Sequence, residues 1–202
     1  MHTEIELKLS IANQDILLLQ QHPLLMTCYS GPQKQKLYSI YFDTPDMLLT
    51  QLKMALRLRL VGTQWIQTLK GEGKVENGLH QRLEWEVPVA RSEPDFEQLL
   101  KSPWVSVFTP VIQKQLVPIF VTDFWRTTWQ VSLENGQIEV ALDIGEVQAN
   151  DLHTSISEVE LELKSGDPES LNYLAKALQE LVPLIPEDQS KADRGYQLFR
   201  GR

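Results

Sequence analysis

Cysteine is almost absent from this chain of 202 residues, where Cys28 stands alone. One thiol cannot build a disulfide framework or a Cys-based zinc site within the chain, and it fits a reducing cytoplasm. Histidine is scarce as well. His2, His22, His80 and His153 show no metal-ligand spacing, and each is expected at the surface. No apolar run approaches the ~18 residues of a membrane span. The N-terminus runs straight into charged residues, so no signal peptide is expected. P-loop, Gly-x-Gly-x-x-Gly, His-Glu-x-x-His and Gly-x-Ser-x-Gly motifs are all missing, which removes the commonest phosphate-loop, dinucleotide, metalloprotease and serine-hydrolase readings. Positive charge does not dominate either. A formal net charge of -8 argues against a general nucleic-acid surface. It does not exclude an anionic ligand, because local Arg and Lys decide that. The remaining composition, 42% hydrophobic and 23% charged, is that of an ordinary globular chain.

What is present is a repeated grammar. Glu4-Ile5-Glu6-Leu7-Lys8 alternates with period two, so Glu4, Glu6 and Lys8 share one strand face and Ile5, Leu7 and Leu9 the other. Glu158-Val159-Glu160-Leu161-Glu162-Leu163-Lys164 repeats it, Leu56-Arg57-Leu58-Arg59-Leu60 inverts its sign, and Arg82-Leu83-Glu84-Trp85-Glu86-Val87 mixes both signs. A single such strand is most simply a half-buried strand with its charges in water. Several of them, nearly pure in Glu, Arg and Lys, point instead to ionic faces converging on a shared interior. A closed barrel wide enough for water and ligand does this, with helices covering its apolar outside.

The chain in order fits that scheme. Asn13 is expected to cap a short helix over residues 14–21, and residues 36–43 form a second strand. Thr44-Pro45 should open a helix reaching residue 51. The Arg57/Arg59 strand turns at Gly62-Thr63 into a strand over 64–70 that carries Lys70. Residues 71–78 contain Gly71, Gly73 and Gly78 and no apolar pattern, which suggests either a mobile flap over a site or a long hairpin loop. A strand over 80–87 follows and should end at Pro88. Residues 92–101 look like a capped helix, and the Pro-punctuated stretch to 120 like a crossover. Strands over 122–131 and 137–144 flank an Asn135-Gly136 turn, and place Arg126 and Asp143 on ionic faces. Asp167-Pro168 opens a helix to about residue 182, and Lys191 and Arg194 would share a face of a short helix. The fold class is therefore α+β, an antiparallel barrel of about eight strands with a charged lumen and helices outside.

Converging carboxylates without Cys suit a hard cation, Mg²⁺ or Mn²⁺, and converging Arg and Lys suit phosphate. A site with both signs suggests a metal-bound polyphosphate. A buried unpaired charge costs about several kcal/mol, so so ionic a tunnel should be filled by ions and water.

These residues carry a resemblance. The ordered set Glu4-x-Glu6-x-Lys8, Arg57-x-Arg59, Lys70, Arg82-x-Glu84-x-Glu86, Arg126, Asp143, Glu158-x-Glu160-x-Glu162 and Lys191 resembles the signature of the CYTH superfamily, the triphosphate tunnel metalloenzymes. It covers essentially the whole chain, read as one CYTH domain over 1–202. Thr44-Pro45-Asp46, Gly78-Leu79-His80-Gln81-Arg82, Thr122-Asp123-Phe124 and Ser190-Lys191-Ala192-x-Arg194-Gly195-Tyr196 are similar to the N-terminal domain of bacterial inorganic triphosphatases. A helical CHAD domain often follows in such proteins and is a partner the resemblance implies. It also implies an eight-stranded tunnel and metal-dependent hydrolysis of inorganic triphosphate. Carried over by position, Glu4, Glu6 and Glu162, with Glu160 close by, are the expected metal ligands. Glu84, Glu86, Asp143 and Glu158 would bind a second metal or orient basic residues. Lys8, Arg57, Arg59, Lys70, Arg82 and Arg126 would hold phosphates, and Lys191 and Arg194 would close one mouth. Lys8 and Lys191 are the candidates for a general base. Rival readings are a thiamine triphosphatase, a nucleoside triphosphatase, a class IV-type adenylate cyclase, or a non-catalytic polyphosphate-binding module.

Overall fold

Strands with one ionic and one apolar face bury both only by closing on themselves. The computed structural model describes residues 1–28 and 30–201. In it the strands β1 (His2–Ile11), β2 (Gln33–Asp43), β3 (Ala55–Val61), β4 (Gln64–Glu76), β5 (Leu79–Val89), β6 (Val117–Leu133), β7 (Gly136–Ala149), β8 (Leu152–Gly166) and β9 (Leu184–Pro186) form one antiparallel sheet. Its order is β5-β4-β3-β2-β6-β7-β8-β1-β9. Pairing of β1 with β5 closes the first eight strands into a barrel, and short β9 lies outside the ring against the end of β1. Strand β1 is the seam: Glu4 lies opposite Arg82 of β5, and Lys8 opposite Glu160 of β8.

The helices are α1 (Ile16–Gln20), α2 (Pro23–Met26), α3 (Leu48–Gln51), α4 (Phe96–Leu99), α5 (Pro110–Gln115), α6 (Glu169–Gln179) and α7 (Lys191–Phe199). None of the described helices is long and apolar enough to cross a membrane. The outward faces of β1, β7 and β8 (Leu7, Leu9, Val140, Leu142, Val159, Leu161) are buried under Leu171, Leu174 and Leu178 of α6. On the other side, Leu56, Leu58, Leu69 and Trp85 pack with Leu49, Leu99 and Phe108. Each such side chain contributes roughly 1.5–3 kcal/mol by leaving water. The apolar outside and helical cover are those expected from the alternation.

One of the three core clusters lies inside the barrel. Leu37, Tyr41, Phe120, Phe124, Val147 and Ile156 share strand faces with the ionic residues and pack with Tyr196 of α7. Tyr41 stacks on Phe120 at 4.4 Å between centroids. The lumen is therefore ionic along part of its length and apolar at the end where α7 packs. Period two alone does not reveal this, because the inward faces differ in character along the same strand.

Several local expectations are corrected. Residues 71–76 are not a loop but the second half of β4, paired with β5 beyond a register shift between Lys70 and Gly73. The turn itself is Asn77 (φ 50°) and Gly78 (φ 81°), left-handed residues that suit a tight hairpin. Its tip is tied down, not loose. The Gly78 amide donates to Asp188 Oδ1 at 2.6 Å, and the Lys8 amide donates to the Gly78 carbonyl at 2.8 Å. Those partners are remote in sequence, which is why the segment looked irregular. Pro88 does not end β5, which runs on to Val89. Asn13 starts a short 3₁₀ turn without capping it. The helix expected over 92–101 is only Phe96–Leu99, capped by Asp95. Pro45 is not the first residue of a helix. The carboxylate of buried Asp43 instead accepts from the amides of Thr44, Leu49 and Thr50, and Met47 takes a left-handed φ of 59° before α3 begins. Two histidines expected at the surface are buried: His22, which caps α2, and His80, whose Nε2 lies 3.2 Å from the Glu187 carbonyl.

Helix α7 begins with a reciprocal capping box. The Asp193 amide donates to Ser190 Oγ, and Asp193 Oδ2 accepts from the Ser190 amide. The box fixes the residue that follows it, Lys191, in the lumen. Ser190→Ala should cost about 1 kcal/mol, read as a lowered urea midpoint at unchanged slope. An unchanged midpoint would mean that packing alone sets the start of α7.

Candidate active site

The inward residues build a closed lattice of opposite charges. On β1 and its neighbours, Lys70 Nζ lies 2.7 Å from Glu4 Oε2 and 2.7 Å from Glu84 Oε2. The Glu84 contact is out of line for a hydrogen bond, so that buried oxygen lacks one. Arg82 reaches Glu4 at 3.1 Å and Glu6 at 3.4 Å. Arg57 contacts Thr68 Oγ1 at 3.1 Å and Glu86 at 3.2 Å. Deeper in, Arg126 grips Asp143 with two hydrogen bonds, at 2.7 and 2.6 Å, and reaches Glu160. Lys191 sits among Asp143 (2.6 Å), Glu160 (2.9 Å) and Glu158. Lys8, 1% exposed, lies 3.4 Å from Glu160 and 3.8 Å from Glu158. Arg194 bonds Glu158 and the Ser155 carbonyl. Glu162 pairs with Lys164 at 2.7 Å.

Arg59 differs from the other cations. Its Nε donates to the neutral Ser39 hydroxyl at 3.0 Å, and no carboxylate lies within ion-pair distance of it among the described residues. Burial, with Arg57 and Arg126 close by, lowers its pKa to about 10.

The other shifts follow the lattice. Burial pushes the Glu4 carboxyl up, but Lys70 and Arg82 outweigh it and hold the group well below the usual range. Burial likewise opposes, and Lys191 and Arg126 overcome it, at Glu160. Asp143 is lowered against its burial by Arg126 and Lys191. Glu84 goes the other way. Burial, with the Glu4 charge and its bond to Glu86, raises it to about 7 despite Lys70. Glu86 is lowered to about 2, its burial being outweighed by the Glu84 bond and Arg57. Burial would lower Lys191, yet Asp143, Glu158 and Glu160 raise it well above the usual lysine value. The three carboxylates favour the ammonium form of Lys191.

Every sequence-nominated residue thus faces the lumen or its rim. A cavity of about 200 Å³ is lined by most of them, among them Glu4, Glu6, Lys8, Arg57, Arg59, Lys70, Arg82, Glu84, Glu86, Arg126, Glu160, Glu162 and Lys191. Asp143 and Glu158 stand behind this wall and hold its cations Arg126 and Lys191, and Arg194 in turn pairs with Glu158. Residues not nominated also line it, notably Lys164, Tyr41 and His2. Lys164 was readable as the fourth member of the Glu158/Glu160/Glu162 face. Tyr41 carried no ionic signal.

The donor set is all oxygen and suits a hard divalent cation. Asp143, Glu158 and Glu160 bring ligand atoms within 4.8 Å of one another. That trio, however, already shares Lys191. Glu4, Glu6 and Glu162 lie side by side across β1 and β8, with Glu6 directly opposite Glu162, and bear on the cavity. Among the described residues, however, their carboxylate oxygens do not converge to the spacing that the Asp143 trio shows.

A closed antiparallel barrel whose lumen carries interleaved Glu and Arg/Lys is a triphosphate-tunnel type of domain. Its family is also clear: the chain belongs to the CYTH domain family, whose model matches residues 2–196. It is 38% identical over 195 residues to the inorganic triphosphatase of Haemophilus influenzae, a match covering 96% of this chain and 54% of that protein. The chain therefore spans about half the length of this curated relative. Among solved structures it resembles a Hippeastrum protein assigned as an adenylyl cyclase with a dominant triphosphatase activity (TM-score 0.70, 18% identity, covering 98% of this chain and 95% of that one). It also resembles a Pyrococcus horikoshii protein (TM-score 0.60, 23% identity, covering 98% and 99%). At these identities the structures share the fold.

Proposed function

We propose that this CYTH domain hydrolyses inorganic triphosphate to diphosphate and phosphate with a divalent metal, Mg²⁺ or Mn²⁺. The observation that carries the reading is the lumen itself. Its cavity of about 200 Å³ falls below the ~300–1,000 Å³ usual for organic ligands, and its wall is almost wholly ionic. A thiamine or nucleoside moiety needs an apolar or stacking wall, and only Tyr41 and His2 offer rings among the lining residues. That disfavours the organic triphosphates and a cyclase reaction. The identity to an inorganic triphosphatase supports the same choice.

In this reading Glu4, Glu6 and Glu162, with Glu160 adjacent, hold the metal. When bound, it would polarise phosphoryl oxygens and activate water. Arg57, Arg59, Lys70, Arg82, Arg126 and Lys8 take the phosphate oxygens, and each pair broken in the lattice is replaced by an ion of the same sign on the substrate complex. Charge developing on the leaving diphosphate is met by cations already fixed in place. Glu158 and Asp143 orient Lys191, Arg194 and Arg126, and Glu84 and Glu86 orient Lys70 and Arg57. Lys8, without a carboxylate nearer than 3.4 Å, is the less tightly paired candidate for proton transfer. The whole of 1–202 acts as one domain here, a CHAD domain is the implied partner, and one half-buried cysteine supports a cytoplasmic setting.

The test is phosphate release from inorganic triphosphate, ATP and thiamine triphosphate, each with Mg²⁺, Mn²⁺ or chelator. Fast, metal-dependent release from inorganic triphosphate alone is expected. Preference for an organic triphosphate would move the specificity, and binding without release would make the domain a polyphosphate receptor.

A further inference from the structure

Three cations of the lumen surround one aromatic ring. Lys191 Nζ lies 5.0 Å, Arg59 Cζ 5.6 Å and Arg126 Cζ 5.8 Å from the centroid of Phe124. They come from α7, β3 and β6, so only the closed barrel brings them together. Phe124 is 1% exposed and lies on the lumen side, two residues before Arg126.

The ring is held there by the strand beside it. Gly145 of β7 is its register partner. A Cβ on Gly145 would fall 2.4 Å from both the Cα and the Cβ of Phe124, so any other residue would displace it. That explains why β7 offers Asp143 without a second inward acid at 145: the space belongs to the backbone of Phe124.

Arg126 and Lys191 are neutralised by Asp143 and Glu160, but among the described residues Arg59 has no ion-pair partner and rests on Ser39 and this ring. A ring face attracts a guanidinium through its quadrupole, most strongly when both are shielded from water. Unlike a carboxylate, it does so without cancelling the cation's charge towards a ligand. We propose that Phe124 is a positioning residue: its ring holds Arg59 beside Arg126 and Lys191, and so keeps one full positive charge poised for phosphate. This deepens the triphosphatase reading and rests on it for the identity of the anion.

The test compares native protein with Phe124→Leu, Phe124→Met and Phe124→Tyr. KM and kcat are measured for inorganic triphosphate with Mg²⁺. Binding of inorganic triphosphate in chelator is followed by calorimetry, and melting is recorded for each variant. Leu and Met keep bulk but lose the ring face, and should raise KM and the metal-free Kd about tenfold or more while kcat changes less. Tyr keeps the face and should restore both to within about threefold. In a cycle with Arg59→Ala, the loss of affinity from Phe124→Leu should largely vanish, because the ring acts through that guanidinium. The proposal is overturned if Leu and Met lower the melting temperature with KM and Kd unchanged, if Tyr is as impaired as Leu, or if the two losses add fully. It is also overturned if neither Leu nor Met folds, since the ring is then a packing element. If native protein releases no phosphate from any triphosphate, the hydrolytic reading fails, while the calorimetric arm still decides the role of Phe124.

Discussion

Lys191→Met is expected to lower folding stability by about 3–5 kcal/mol and to abolish turnover. The side chain is buried, and its ammonium sits among Asp143, Glu158 and Glu160. Met fills a similar volume, so the loss is electrostatic. Removing the ammonium leaves buried carboxylates facing one another with Arg126, Arg194 and Lys8 as the remaining counter-charges. Breaking one side of a buried ion cluster costs more than the intact cluster contributes, because the partners stay desolvated. The same variant should also become more responsive to divalent ions. Asp143, Glu158 and Glu160 have the spacing of a hard-cation site once the ammonium is gone. Urea unfolding with and without Mn²⁺ would read both effects. A midpoint close to native would mean that the trio is satisfied without Lys191, and that the start of α7 is not part of the site.

Glu6→Gln should reduce metal-dependent hydrolysis on the order of a thousandfold. Its structural cost should be small. Glu6 is buried, but its contacts are long, 3.4 Å to Arg82 and 3.9 Å to Lys8, and an amide oxygen still accepts from Arg82. Those long contacts distinguish it from Asp143, which Arg126 holds at 2.6 and 2.7 Å. Glu6 is therefore the carboxylate freest to turn toward a cation, with Glu4 beside it and Glu162 opposite. Activity titrated against Mg²⁺ and Mn²⁺, alongside a melting curve, separates the two roles. Near-native turnover at ordinary metal concentration would remove Glu6 from the ligand set.

Both variants concern residues that were legible in the chain, though for different reasons. Glu6 belongs to a local alternating pattern, and so do Arg57, Arg59, Arg82, Glu84 and Glu160. Such patterns fix which face a side chain takes, because the strand period is two whatever the partner strand is. The closed barrel followed, since ionic faces on strands from every part of the chain must otherwise lie in water. Lys191 was nominated only through the family resemblance; nothing in its short helical segment says that it enters a barrel.

Other features were misread because their causes are remote. Residues 71–76 looked like a loop, yet β-pairing with β5 and the grip of Lys8 and Asp188 on Gly78 make them a strand and a fixed turn. His80 looked superficial until Glu187 came to lie against it. The lattice of pairs was also hidden. Sequence shows that Arg126 and Asp143 face inward, but not that Asp143 serves Arg126 and Lys191 together.

The sequence by itself determined the inward charge of the strands, the apolar outside and the residue types a metal-bound phosphate requires. These depend on local alternation and on side-chain chemistry, which the chain carries wherever it folds. Only the tertiary structure decided which carboxylates remain loosely held and which are locked to a cation. It alone placed an aromatic ring against Arg59, which has no carboxylate partner among the described residues, and filled one end of the lumen with apolar side chains. Those outcomes depend on distances between groups on strands far apart in sequence, and electrostatic energies in a buried site change steeply with such distances.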